Sequence, residues 1–263
     1  MSTKRISLLF FSALALFAVL TTGCEDKTQN NGSGTLLLYL TDAPATYDAV
    51  NIDIQSVQIK TSEGDSVISP DIIHPGVYNL LDLQNGLDTL LGTFTLPAAT
   101  VSQVRLVLGN NNSIVKDGMT YDLKTPSAQQ SGLKLNVHAV IDPAIDYRLW
   151  IDFDAKHSVV ETGNGKFILK PVIRTYTEGV TGAIEGVLLP PEANPEVNAI
   201  LGEDTISALP DDAGYYLLKG LNEGSYKLIY TAVAPYLNDT ITDVSVLAGQ
   251  VTKMDTVRLM SAE

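Results

Sequence analysis

Leu133-Lys134-Leu135-Asn136-Val137-His138-Ala139-Val140-Ile141 carries one apolar row, Leu133, Leu135, Val137, Ala139 and Ile141, and one polar row, Lys134, Asn136 and His138. Successive side chains of an extended chain point to opposite faces, so a period of two marks a strand with one face in a core. The next stretch repeats the pattern. Tyr147, Leu149, Ile151 and Phe153 form one row, and Asp146, Arg148, Trp150, Asp152 and Asp154 form the other. Upstream, Gly34 to Thr41 is nearly all apolar, as a strand covered on both faces is. Val50, Ile52 and Ile54 alternate, and Val57 and Ile59 continue in the opposite parity. A strand keeps its buried face across such a change only by inserting a residue, which predicts a β-bulge at Gln55-Ser56. Tyr78 to Leu83 reads as a strand ended by Gln84-Asn85-Gly86, and Asp117-Gly118 predicts a hairpin. Leu87, Leu90, Leu91 and Phe94 have helical spacing, for one or two turns at most.

These elements predict an all-β protein of two tandem β-sandwiches. The first spans 34–178. Polar and glycine positions at Glu178-Gly179-Val-Thr-Gly182 mark a joint. Residues 180–260 hold short strands punctuated by turns, enough for a smaller sandwich.

The chain opens with Lys4-Arg5, an apolar run from Ile6 to Leu20 and Thr21-Thr22-Gly23-Cys24. That run is shorter than the roughly 20 residues a membrane helix needs, and it reads as a secretory signal over 1–23. Cys24 is the only cysteine and has no internal disulfide partner. Its place after Gly23 resembles the lipobox of bacterial lipoproteins, with Leu20 one step further back than usual. The resemblance implies an acylated Cys24, a membrane anchor and a polar tether over 24–33; the alternative is an ordinary cleaved signal. Glu25-Asp26 resembles the acidic signal of Bacteroidota-type lipoproteins bound for the outer face of the outer membrane. The mature chain would carry 15 basic and 30 acidic residues, a net charge of −15. Such a surface argues against nucleic acid as a partner and against electrostatic adhesion to anionic lipid.

A further resemblance rests on an ordered set: Thr41-Asp-Ala-Pro44, Tyr78-Asn-Leu-Leu-Asp-Leu83, Asp117-Gly118, Pro126-Ser127, Gly132-Leu-Lys-Leu135, Asp152-Phe-Asp-Ala155 and Leu169-Lys-Pro-Val172. Residues 33 to 177 thereby resemble the domain-of-unknown-function family numbered 4382, found on microbial lipoproteins. The resemblance implies a secreted, anchored β-domain and no known activity. Gly182-Ala-Ile-Glu-Gly186, Asp212-Ala-Gly-Tyr215, Gly220-Leu221, Gly224-Ser-Tyr226 and Gly249 are similar to a carboxypeptidase-regulatory-like module, a transthyretin-type sandwich. That likeness implies turn glycines, core tyrosines, a spacer or docking role and no peptidase chemistry.

Candidate chemistry is sparse. His74, His138 and His157 lack metal-ligand spacing, and His138 falls on a polar row. Motifs for zinc proteases, phosphate loops and serine elbows are absent from the sequence. Asp152 and Asp154 share a strand face two residues apart, a placement that suits Ca²⁺ or paired-acid glycoside hydrolysis; the alternative is pairing with Arg148 or Lys156. Asp42 joins them as a ligand candidate, or else makes an Asx turn before Pro44. Trp150 on the same row either stacks on a sugar ring or lies under a neighbouring segment. The leading expectation is a non-catalytic cell-envelope lipoprotein that binds a surface polymer or a protein and takes no cofactor. A glycan- or peptide-acting hydrolase and a structural subunit of a surface assembly are the alternatives.

Overall fold

The structure, a computed structural model, describes residues 32–62, 66–69, 75–126, 131–143 and 145–262. The leader, Cys24, the tether up to position 31 and His74 lie outside the described residues.

In chain order the first sandwich comprises β1 (Ser33–Ala43), β2 (Ala49–Thr61), β3 (Ser66–Ser69), β4 (Gly76–Asn79), β5 (Thr89–Pro97), β6 (Thr100–Leu108) and β7 (Ser113–Lys116). It continues with β8 (Met119–Lys124), β9 (Leu133–Val140), β10 (Asp146–Asp154), a one-turn helix α1 (Ala155–Ser158), β11 (Val159–Glu161), β12 (Phe167–Leu169) and β13 (Ile173–Tyr176). Sheet I has the order β13-β10-β1-β5, and sheet II the order β11-β12-β8-β7-β2-β6-β9, with β3 and β4 also paired to β2. The apolar rows read from the sequence meet between them. Leu36, Leu38 and Leu40 of β1, and Leu149, Ile151 and Phe153 of β10, pack in one core with Val50, Ile52, Ile54, Val57 and Ile59 of β2. All five β2 residues are fully buried, and the β2–β6 register shifts between Ile54 and Ser56, so the bulge lies where the parity change requires it. Asp117 and Gly118 both adopt positive φ in the β7–β8 hairpin, as a type I′ turn demands.

Two local expectations fail. Only Gly76–Asn79 is strand; Leu80–Leu83 closes into a 3₁₀ turn whose Leu81 amide is capped by the Asn79 side chain. The helical spacing at Leu87 to Phe94 belongs instead to a turn that ends at Leu87 and to strand β5, which holds the other three residues. The β1–β5 register slips between Leu38 and Tyr39, which leaves Leu91 as an extra residue beside Leu90. That bulge sets two leucines side by side, and the spacing imitates a helix.

The second sandwich comprises β14 (Gly182–Leu189), β15 (Glu196–Leu201), β16 (Asp204–Ala208), β17 (Tyr215–Leu221), β18 (Gly224–Thr231), β19 (Asp239–Val246), β20 (Val251–Lys253) and β21 (Val257–Arg258). β17-β14-β20, with β21 also on β14, faces β16-β15-β18-β19 across a separate core that includes Ile184, Leu218, Val197 and Leu228. Tyr216, Tyr226 and Tyr230 are buried in it, and Gly214, Gly220 and Gly249 hold positive φ. Both sandwiches belong to one compact unit. Among the described residues no helix is long and apolar enough to cross a membrane.

Candidate functional site

The row of β10 that faces away from the first core carries Trp150, Asp152 and Asp154, and the second sandwich packs on it; Asp42 lies on β1, in register with the core residue Phe153. Register explains how the row is organised. Tyr39, Trp150 and Tyr176 stand opposite one another on β1, β10 and β13, so adjacent strands stack their rings. Tyr39 and Trp150 lie 5.0 Å apart at 14°, and Trp150 and Tyr176 lie 5.6 Å apart at 3°. One step along, Thr41, Asp152 and Arg174 are likewise in line, which delivers the Arg174 guanidinium to Asp152 Oδ2.

The second sandwich closes over both rungs through β17. Arg174 donates to the carbonyls of Gly220 (2.8 Å) and Lys219 (3.0 Å). Gly220, at φ +69°, lies against the Tyr176 ring, and a Cβ there would come within 2.5 Å of Tyr176 Cδ1. Trp150 Nε1 donates to Asp88 Oδ2 at 2.8 Å, and Lys219 Nζ reaches Gly86 O at 2.7 Å. Asn85 adds an unusual link: its amide nitrogen donates to Tyr215 O (3.0 Å) while its oxygen accepts from Leu217 N (2.7 Å). A side-chain amide thus satisfies the edge of β17 as a neighbouring strand would. Lys156 binds both carboxylate oxygens of Glu196, at 3.0 and 3.1 Å.

Trp150 is therefore 4% exposed, with both ring faces covered by tyrosines, and has no face left for a sugar. Asp152 is buried on Arg174, and not on Arg148 or Lys156, which pair with Glu178 and Glu196. Burial pushes its carboxyl up against the opposing pull of Arg174. Asp154 caps α1: its Oδ1 accepts from His157 N (3.0 Å), and its Oδ2 lies 2.7 Å from His157 Nδ1. Asp42 makes no Asx turn; its Oδ1 accepts from Ala155 N at 3.0 Å, tying the end of β1 to the start of α1. Burial pushes the Asp42 carboxyl up to about 9, so it is neutral at pH 7. Its Oδ2, like Asp152 Oδ1, is buried without a hydrogen-bond partner. Among the described residues no three Asp, Glu, His or Cys side chains gather as a metal site would require.

Two crevices stay open at the seam, one of about 280 Å³ beside Trp150, Tyr176 and Gly182 and one of about 250 Å³ beside Arg174, Thr181 and Tyr226. Another crevice, of about 180 Å³, is lined by Asp152, Asp154, Lys156, His157, Thr205 and Ser207. It brings an Asp–His pair near a serine, but the Ser207 hydroxyl donates to Asn198 Oδ1 at 2.6 Å. A nucleophile needs that proton directed at the histidine.

Residues 33–171 match the profile of Domain of unknown function (DUF4382). The chain belongs to this family. The DUF4382 region ends two residues before β13, so its profile stops short of Arg174 and Tyr176, which bind the second sandwich. No curated protein matches the chain. Solved structures resemble it only loosely. A cohesin–X-dockerin complex from Acetivibrio cellulolyticus is 24% identical over 30% of this chain and 58% of its own, with a TM-score of 0.26. The minor pilin GBS52 of Streptococcus agalactiae is 11% identical over 86% of this chain and 96% of its own, at 0.24. The Bacillus anthracis TIE protein is 12% identical over 86% of this chain and 34% of its own, also at 0.24.

Sequence reasoning missed Arg174, Gly220, Lys219 and Asn85. One signal was present for the last: Asn85-Gly86 is a type I′ pair, and both residues do take positive φ, with Leu87 N closing the turn on Gln84 O.

Proposed function

We propose that the protein is a non-catalytic, lipid-anchored module of the bacterial cell envelope, held at the outer membrane through Cys24, with a binding, adhesion or accessory role. The observation that carries this reading is how the chemically capable side chains are used. Asp42, Trp150, Asp152 and Arg174 are all buried or engaged where they fix α1 or join the two sandwiches. Catalysis needs a nucleophile or base positioned on an accessible reacting atom, and these groups are turned inward. Residues 180–260 serve as a carboxypeptidase-regulatory-like docking and spacing module, packed on the DUF4382 domain through Arg174, Tyr176 and Asn85. The acidic surface suits a protein or polymer partner and disfavours nucleic acid.

The anchor is tested by metabolic labelling with a fatty acid. Label should enter the wild type and be lost in Cys24→Ala, which should also leave the protein unprocessed or release it. An unlabelled wild type would sink the anchor. Turnover of a glycan or peptide by the purified protein, lost in His157→Ala, would replace the binding role with a hydrolase built on the Asp154–His157 pair.

A further inference from the structure

Away from the seam, the register of sheet I leaves a gap. β1 pairs with β10 along its whole length, from Asp146 to Asp154. β13 pairs only with Trp150 to Phe153, so Asp146 to Leu149 has a strand on one side alone. Beside it β9, the last strand of sheet II, ends at Val140. Between the two lies a groove of about 760 Å³, lined by Val140, Ile145, Tyr147, Arg148, Glu178 and Val180 among others.

Three properties of this groove coincide. Its apolar residues are unusually bare: Val140 is 58%, Ile145 65% and Val180 66% exposed. Its charge is acidic, since Asp142, Asp146 and Glu178 face a single Arg148. Arg148 and Glu178 form an ion pair there at 3.6 Å, between side chains that are each more than half exposed, and so hold the groove closed only weakly. Alternate residues of a strand turn both N–H and C=O to the same side, so an edge without a neighbour offers peptide groups to an incoming strand.

We propose that this groove is a docking site for an extended, basic and apolar peptide segment of a partner protein, which adds as a short strand beside Asp146–Leu149. Backbone pairing would give affinity, Val140, Ile145 and Val180 would take alternate apolar side chains, and the acids would select Lys or Arg on the others. The net negative charge of the chain favours the approach of such a partner. This inference rests on the non-catalytic binding role proposed above and gives that role a place.

The test uses the full mature chain and a short synthetic peptide of alternating lysine and valine, with binding followed by calorimetry. The peptide should bind, and raising salt from about 0.05 to 0.5 M should weaken it severalfold. Val180→Lys and the pair Asp146→Lys with Glu178→Lys should each weaken it about tenfold, at exposed positions that leave the melting temperature unchanged. N-methylation of alternate peptide amides should abolish binding, because strand addition needs those donors. The proposal is overturned if the lysine–valine peptide fails to bind, if a glutamate–valine peptide binds as well, or if N-methylation has no effect. Concentration-dependent dimerisation abolished by Val180→Lys would also overturn it, since a second copy would then be the occupant. Fatty-acid labelling separates the two levels: a labelled protein that ignores the peptide loses the groove and keeps the anchor.

Discussion

Neighbouring strands β9 and β10 carry the same two-residue pattern, and their polar rows end in opposite places. On β9, Lys134, Asn136 and His138 are exposed. On β10, Trp150 and Asp152 are 4% and 5% exposed beneath the second sandwich. Alternation shows that two faces of a strand differ chemically. It does not say whether water or another sheet meets the second face. The β10 row was marked by its content, since it combines a tryptophan with carboxylates where β9 has lysine, asparagine and histidine. A face that carries an aromatic ring is costly to leave in water and supplies most of what a packed joint needs.

If that contrast is right, substitutions should cost most where the row is covered. Arg174→Ala strips Asp152 of its partner inside the seam and removes two links to β17 carbonyls. We expect it to lower stability by about 2–4 kcal/mol in urea unfolding, below the range for a fully buried pair because the Arg174 side chain is 35% exposed. A loss below about 1 kcal/mol would mean the seam is open to water. Gly220→Ala forces a side chain into a left-handed backbone position and against the Tyr176 ring. It should cost about 2–4 kcal/mol and alter near-ultraviolet circular dichroism.

Asp42 sharpens the comparison through pH. Its folded-state carboxyl titrates near 9, against 3.8 for the ordinary group. Between those values the folded chain holds a proton that the unfolded chain has lost, so stability from this group is complete below pH 4 and declines as pH rises towards 9. The slope is at most about 1.4 kcal/mol per pH unit. Asp42→Asn should remove that contribution, so that the variant gains on the wild type steadily from pH 5 to pH 9. Parallel stability curves would show that Asp42 is ionised in the folded protein. The smallest effect belongs to β9: Lys134→Ala should stay within about 0.5 kcal/mol of the wild type. Calcium at millimolar concentration should likewise leave the melting temperature unmoved, because Asp152 and Asp154 already have partners.

Parity made much of the fold legible. The shift between Ile54 and Val57 located a bulge because an apolar residue on the wrong face would be exposed, and no local rearrangement other than an added residue prevents that. The same device misled at Leu90-Leu91, where a bulge beside a short apolar run has the spacing of a helical turn. The site was half legible. Trp150, Asp152, Asp154 and Asp42 do occupy special positions, but their roles depend on Arg174, Gly220 and Asn85, which reach them only through cross-strand register and inter-sandwich packing. Neither leaves a periodic trace in the chain.

Asn85 bears on whether copies of this protein pair with one another. A bare strand edge is adhesive towards any extended chain, its own duplicates included. By offering one donor and one acceptor in the spacing of a peptide unit, Asn85 counterfeits the neighbour that β17 lacks. The free edge of the second sandwich is therefore covered by a turn of the first, and a chain cut at the joint would bare that edge together with Leu217, which packs against Gly86.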